Sequence, residues 1–279
     1  TDNEIELLRN HGHIVDVIIA DNKELSNNKF LVAINSYWSF KYYNIVTNLL
    51  ESKKYDLIHV QNFFPQISPS IFYAAKRKGV KIVMSVRNYR LVCPNALLYI
   101  KDEICTKCIN NIIPYQGVVN KCYKESYGAS LSMVVHNSIH NILGTWLYKV
   151  DGYIAISDFI KEILFQKGIE KDKVFVKYNF LTSRKQEIQI SANLQFIYVG
   201  RISIERLVNM KLIIVGDGPL VNIVQKFCSK YHNIIFLGKK DKNEVLDLIN
   251  ESRALVFPSE WYEPFGRTLI EAFSVGTPV

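Results

Sequence analysis

The chain of 279 residues has no apolar run approaching the ~18–20 residues that a membrane-spanning helix requires, which excludes a helical membrane span. It has no leader pattern either: the opening TDNEIELL is polar and acidic, and this predicts a cytoplasmic protein. Cysteine is scarce, five in all, and in that compartment thiols are expected to be reduced or metal-bound rather than in disulfides. Acidic side chains are nearly missing from residues 72–124, where Asp102 and Glu103 face ten Lys and Arg. That stretch alone carries the +8 net charge of the whole chain. It reads either as a solvated basic face or as a surface for anionic lipid, a phosphorylated acceptor or nucleic acid. What the chain has is an ordinary globular composition, 48% hydrophobic and 22% charged, which excludes a disordered protein.

The length favours two domains. Short β-branched runs at 13–20 (HIVDVIIA), 56–61 (DLIHVQ), 81–86 (KIVMSV), 152–157 (GYIAIS) and 173–180 (KVFVKYNF) read as buried parallel strands. Helical patterns fall between them, at 68–79 with a serine start and a glycine stop, and at 157–169 with Ser157 as N-cap. A polar linker at 182–193 separates this block from a second, with strands at 194–200, 210–216, 232–238 and 253–259. The expected organisation is therefore an α/β domain over 1–182, carrying a cysteine-rich insertion at about 90–126, and another over 183–279.

Three strands of the second block end in Gly200, Gly216 and Gly238. Glycine at the carboxyl end of a parallel strand lets a ligand approach the backbone, and that edge is where open α/β sheets bind ligands. Only nine residues separate the strands at 194–200 and 210–216, against the dozen or more that a parallel crossover needs. Either these strands are not neighbours, or part of the chain is absent; the ends favour the second reading, with segments expected to be missing near 204–208 and at both ends and the second domain incomplete.

The last twenty residues contain Glu263 and Glu271 on either side of Pro264-Phe265-Gly266, the approach to a helix. A helix N-terminus there would offer the amides of Gly266, Arg267 and Thr268 to a phosphate. Glu271 would stand on the same helix among Leu269, Ile270, Ala272 and Phe273, where a carboxylate needs partners. Carboxylates accept paired hydrogen bonds from sugar hydroxyls. Two of them flanking a phosphate cradle suit a sugar, a diphosphate and a ribose in a row, which is a nucleotide-sugar.

EPFGRTLIEAFSVGTPV resembles the E-x7-E signature of retaining glycosyltransferases of family 4, which have the GT-B fold. IYVGRIS, LIIVGDGPL, NIIFLGKK and ALVFPSEWYEPFG resemble that family's donor-domain blocks, in the expected order. LLRNHGHIVDV and the stretch at 59–95 resemble its N-terminal half, in the bacterial subgroup that assembles surface polysaccharide. The resemblance implies two Rossmann-like domains facing a central cleft, an acceptor-side one and a nucleotide-sugar-binding one.

By the same resemblance Glu263 would contact the transferred sugar and Glu271 the ribose, while the amides from Phe265 to Thr268 would hold the distal phosphate. Arg201, just after Gly200, would neutralise the departing diphosphate. Gly238 and Lys239 would lie beside the base, and Gly216 would line the pocket floor. Fixed donors aimed at developing charge are a large catalytic term, so no catalytic metal is implied. The donor would be a UDP- or GDP-sugar and the acceptor a glycan or a lipid-linked glycan at the inner membrane face, with no nucleic acid bound. Asn62, Arg87 and Asn88 are candidates for the acceptor or sugar side. Two departures stand out: Arg206 follows Glu205 where relatives carry a lysine, and Arg87 replaces a frequent histidine.

Cys93, Cys105, Cys108 and Cys122 form C-x11-C-x2-C-x13-C, a spacing that fits a closed, structural zinc site as well as free packed thiols. Cys228 is remote. An amphipathic helical pattern at 131–150 places His136 and His140 one turn apart, as core or surface histidines rather than metal ligands. With the basic stretch it also makes a membrane-surface element. Two further readings remain, a zinc-stapled nucleic-acid-binding protein and a catalytically silent subunit that binds sugar nucleotide. The first leaves Glu263, Gly266, Arg267 and Glu271 without a task.

Overall fold

The computed structural model describes residues 2–20, 29–180, 195–200, 211–259 and 262–279. The chain divides into two compact units, Thr1–Tyr178 with Trp261–Phe265, and Asn179–Glu260 with Gly266–Val279.

The first unit opens with α1 (Asp2–Asn10), α2 (Lys29–Tyr37) and α3 (Phe40–Ser52), then β1 (Leu57–Val60), α4 (Ser70–Arg77) and β2 (Lys81–Val86). A segment with little regular structure follows, holding β3 (Tyr99–Ile100), β4 (Glu103–Ile104) and α5 (Gln116–Val119). The unit closes with α6 (Tyr127–Ile142), α7 (Thr145–Tyr148), β5 (Gly152–Ala155), α8 (Asp158–Gln166) and β6 (Val174–Val176). The parallel sheet runs β1-β2-β5-β6, and β3 pairs with β4 as a small antiparallel hairpin. Ile82, Met84, Val86, Tyr153 and Ala155 of the central strands pack with Phe72, Ala74 and Ala75 of α4 and Ile160, Ile163 and Leu164 of α8. This is the burial that apolar parallel strands require. Ser157 caps α8 as its position predicts, accepting a hydrogen bond from the Ile160 amide at 3.3 Å.

The second unit comprises β7 (Gln195–Val199), β8 (Lys211–Val215), α9 (Val221–Lys230), β9 (Ile234–Gly238), α10 (Lys242–Asn250), β10 (Ala254–Leu255) and α11 (Arg267–Ser274). Its parallel sheet runs β10-β7-β8-β9. Ile197, Ile213 and Val215 of the strands meet Leu246 and Ile249 of α10 and Ala272 of α11 in its core. A capping box starts α10: Asp241 accepts from the Glu244 amide at 2.9 Å, and the Glu244 carboxylate accepts from the Asp241 amide at 3.1 Å.

Two expectations are corrected. Residues 13–20 form no strand: they are paired in neither sheet, and Ile14 is 94% exposed. A β-branched run is a strand only where a ladder partner takes its amides and carbonyls. The helical pattern at 131–150 is two helices, because Gly144 turns left-handed (φ 60°) between α6 and α7. Of the two readings of the short spacing between the strands at 194–200 and 210–216, the one in which they are not neighbours is excluded: Gln195 faces Lys211, and the register holds to Val199 and Val215. Residues 201–210, which include Arg201, Arg206 and the 204–208 segment expected to be incomplete, lie outside the described residues, as does the 182–193 linker. Among the described residues no helix is long and apolar enough to cross a membrane.

Candidate active site

In the second unit Gly200, Gly216 and Gly238 meet at the carboxyl ends of three adjacent strands. The Gly200 amide donates to the Val215 carbonyl at 3.2 Å, and the Gly216 amide to the Gly238 carbonyl at 2.9 Å. Gly216 holds φ 150°, and a Cβ there would stand 2.1 Å from the Gly200 carbonyl oxygen. Only glycine fits. A Cβ on Gly238 would meet nothing within 4 Å, so that strand end faces open space beside the exposed Lys239.

Helix α11 starts where the sequence places it, with Gly266 as its N-cap residue and Arg267 and Thr268 in its first turn. The leading amides of a helix have no acceptor within it. A Cβ on Gly266 would press on Leu269 Cδ1 at 2.7 Å and Phe257 at 3.0 Å, so the backbone lies tight against its own unit. Glu271, one turn in, is only 9% exposed. Its one ion pair among the described residues is a long one, 3.9 Å to Arg267. Burial pushes its carboxyl above the ordinary range, against the pull of Arg267 and Lys242.

Glu263 and Phe265 belong to the first unit. The segment carrying them is pinned by aromatic packing: the Tyr89 hydroxyl donates to the Tyr262 carbonyl at 3.0 Å, Phe159 lies 4.5 Å from the Tyr262 ring, and Tyr178 lies 6.2 Å from Phe265. Loss of surrounding water raises the Glu263 carboxyl. Burial, with the nearby Glu263 charge, raises the Tyr89 phenol well above its usual value.

At the carboxyl ends of β1 and β2 a small cavity is lined by Asn62, Arg87 and Asn88, together with Gln61, Ser85 and Arg90. Arg87 is a paired cation. Its guanidinium donates to Gln61 Oε1 and to Glu4 Oε2, both at 2.9 Å. Glu4, on α1, also accepts from Gln61 Nε2 at 2.7 Å and from the Lys177 ammonium. Burial pushes the Glu4 carboxyl up, yet the Lys177 hydrogen bond and charge, with Gln61 and Arg87, hold it below the usual range. His59 Nε2 pairs with Ser85 Oγ at 2.8 Å, and burial lowers its pKa. Glu4, His59, Gln61 and Lys177 escaped the sequence reading, since they lie up to 173 positions apart and only the fold brings them together.

His136 and His140 are core residues on the inner face of α6, with rings 4.9 Å apart. Burial lowers their pKa values to about 4 and about 3.

Cys93, Cys105, Cys108 and Cys122 line one cavity of about 10 Å³. Burial pushes the Cys108 thiol up to about 12 and the Cys122 thiol up to about 11, so both hold their protons at neutral pH. Among the described residues no group of three or more His, Cys, Asp and Glu side chains stands at metal-holding geometry. The expected zinc is thus not supported by these side-chain positions, although the fold gathers all four residues. Cys228 lies apart from them on α9, in the second unit.

With this geometry in hand, the class of protein follows from comparison. Residues 1–183 match the model of Glycosyltransferase Family 4, and residues 160–279 match that of Glycosyl transferases group 1. The chain belongs to glycosyltransferase family 4. It is 24% identical over 274 residues to an uncharacterized 42.6 kDa protein in the cps region of Klebsiella pneumoniae, covering 90% of this chain and 63% of that protein. An uncharacterized glycosyltransferase of Bacillus subtilis, YqgM, is 21% identical over 247 residues, covering 82% and 58%.

Among solved structures, the chain is similar to the lipopolysaccharide outer core galactosyltransferase WaaB, with a TM-score of 0.50, 17% identity, and 91% and 62% of the two chains covered. Anabaena Alr3699/HepE, solved in complex with UDP and glucose, gives 0.53, 16%, and 99% and 69%. These likenesses define a GT-B fold. The chain spans less than two thirds of the length of the curated relatives cited and of WaaB.

Proposed function

We propose that the whole protein is a retaining glycosyltransferase that moves a sugar from a UDP- or GDP-sugar to a glycan or lipid-linked acceptor in bacterial surface-polysaccharide synthesis. The observation that carries this reading is Glu271: a buried carboxylate on α11, raised in pKa, with one ion pair at 3.9 Å among the described residues. A carboxylate so largely buried, with its described ion pair a long one, suits a ligand that supplies donors, and a ribose diol supplies two. The glycine edge of β7, β8 and β9 and the start of α11 lie in the same unit, which suits a nucleoside diphosphate.

In this reading Glu271 binds the ribose, the amides of Phe265, Gly266, Arg267 and Thr268 hold the distal phosphate, and Gly238 and Lys239 flank the base. Gly216 lines the pocket floor, with Gly200 beside it on the donor side. Glu263 holds hydroxyls of the transferred sugar. The bond from the anomeric carbon to the diphosphate breaks, an acceptor hydroxyl oxygen takes its place with configuration kept, and the hydroxyl proton leaves to the departing diphosphate. Arg201 and the α11 N-terminus stabilise the departing charge, so no catalytic metal is required. Asn62, Arg87 and Asn88 serve the acceptor side. That HepE was solved with UDP and glucose favours a uridine donor.

An apolar stripe on α6, formed by the exposed Tyr127, Leu131, Val135, Ile139 and Ile142, supports work at the inner membrane surface. Lys121 lies 4.4 Å from the Tyr127 ring beside it, and Lys124 follows three residues on. Apolar insertion and cationic attraction to anionic lipid would act together there.

The test is thermal stabilisation of the full-length protein by UDP, GDP and their sugars, with Glu271→Gln alongside. A ligand at a hundred times its dissociation constant adds about 2.7 kcal/mol. Stabilisation by one nucleotide, lost in Glu271→Gln, supports the site and names the base. The variant itself should be as stable as the parent or slightly more so, because it removes a buried charge. Absence of a shift with every nucleotide would refute the reading.

A further inference from the structure

We infer that Cys93, Cys105, Cys108 and Cys122 bind one structural zinc ion as four thiolates, stapling the insertion between β2 and α6. Backbone placement is the main support. Four cysteines from a 30-residue span line a single cavity whose volume, about 10 Å³, is close to that of one small bound particle. Cys105 directly follows the β3–β4 hairpin, and its amide donates to the Leu98 carbonyl at 2.8 Å. Cys108 is three residues on, and the Cys122 amide donates to the Gly117 carbonyl at 2.9 Å beyond α5. A two-residue gap between ligands in a tight turn is the spacing with which a pair grips a tetrahedral ion.

Three of the sulfurs are engaged as thiols. Cys93 Sγ donates to Asn95 Oδ1 at 2.9 Å, Cys108 Sγ points to the Pro114 carbonyl at 3.9 Å, and Cys122 Sγ to the Gln116 carbonyl at 4.0 Å. A thiolate cannot donate, so these contacts end when the metal binds. Four S–H protons leave to solvent and four Zn–S bonds form, with no change of oxidation state.

A second observation is independent of the cysteines. Of the eight non-glycine residues with positive φ among those described, seven fall between Ala96 and Glu125: Ala96, Leu98, Lys101, Asp102, Lys121, Lys124 and Glu125. Left-handed backbone costs about 1–2 kcal/mol per residue. The insertion opposes that cost with only two two-residue strands and a four-residue helix. A metal staple supplies what its small core does not, and four thiolates leave no open position for catalysis.

The experiment is metal analysis of the full-length protein, purified without a histidine tag, joined to cobalt substitution. About one zinc per chain is expected, and cobalt should give intense thiolate-to-metal charge-transfer absorption with tetrahedral d–d bands. Cys105→Ser and Cys122→Ser should lose most of the zinc, whereas Cys228→Ser keeps it. Should the variants fail to fold, chelator titration of the parent protein decides: zinc release must lower its Tm. Zinc below about 0.2 equivalents with no cobalt spectrum, or iron with sulfide in its place, would overturn the inference. Neither readout depends on sugar transfer, so the result stands apart from the proposed activity.

Discussion

The carbonyl oxygen of Gly200 occupies the place where a Cβ on Gly216 would have to stand, 2.1 Å away. Two strands of the second unit thus end in a backbone-to-backbone contact with no room for a side chain, at the edge where parallel sheets take ligands. Gly216→Ala should destabilise this unit by about 1–3 kcal/mol through the clash and the φ of 150° together. Urea denaturation reads the loss, and nucleotide-induced stabilisation should fall in the same variant. Unchanged stability would mean that the two strand ends separate freely.

Buried neutral histidines set an acid limit on the first unit. His136 and His140 have folded-state pKa values of about 4 and about 3, below the ordinary histidine value. The unfolded chain therefore takes up protons first as pH falls. Stability from this pair is fully present above pH ~6.5 and declines below it, by about 1.4 kcal/mol per pH unit for each histidine until its folded value is reached. Denaturation midpoints between pH 7 and pH 4 should show this slope, and His140→Gln should reduce it by about half. A flat profile would contradict the burial.

Glu4 acts in a lower window. Its folded pKa is depressed, so its contribution is present above the unfolded carboxylate value and is lost as pH falls through the folded one. Glu4→Gln removes the carboxylate that Arg87 and Lys177 share, and should cost about 1–3 kcal/mol at neutral pH. It should also raise the apparent KM for acceptor more than it lowers kcat, because Arg87 loses its anchor rather than its charge. Equal loss in both would place Glu4 in the chemistry itself.

The two parallel sheets, the cap at Ser157 and the helix opening at Gly266 were all legible in the sequence. Each depends on neighbours within a few residues: apolar runs, a serine before a helix, a glycine at its start. The strand expected at 13–20 failed because its pattern promised apolar extension, and a ladder partner cannot be read from the run itself. The continuous helix at 131–150 failed because the amphipathic period runs on across Gly144, where the backbone turns.

For the site, local order in the sequence determined which residues stand at the second unit's edge: Gly200, Gly216, Gly238 and Gly266 mark strand and helix ends, and Glu271 follows one turn later. Only the tertiary structure decided that Glu4, Gln61, Arg87 and Lys177 form one network, that the two histidines face inward, and that four cysteines surround one cavity. The reason is physical. Periodicity and capping are short-range properties of the backbone, whereas ion pairing and burial depend on which distant segments the folded core holds within a few ångströms.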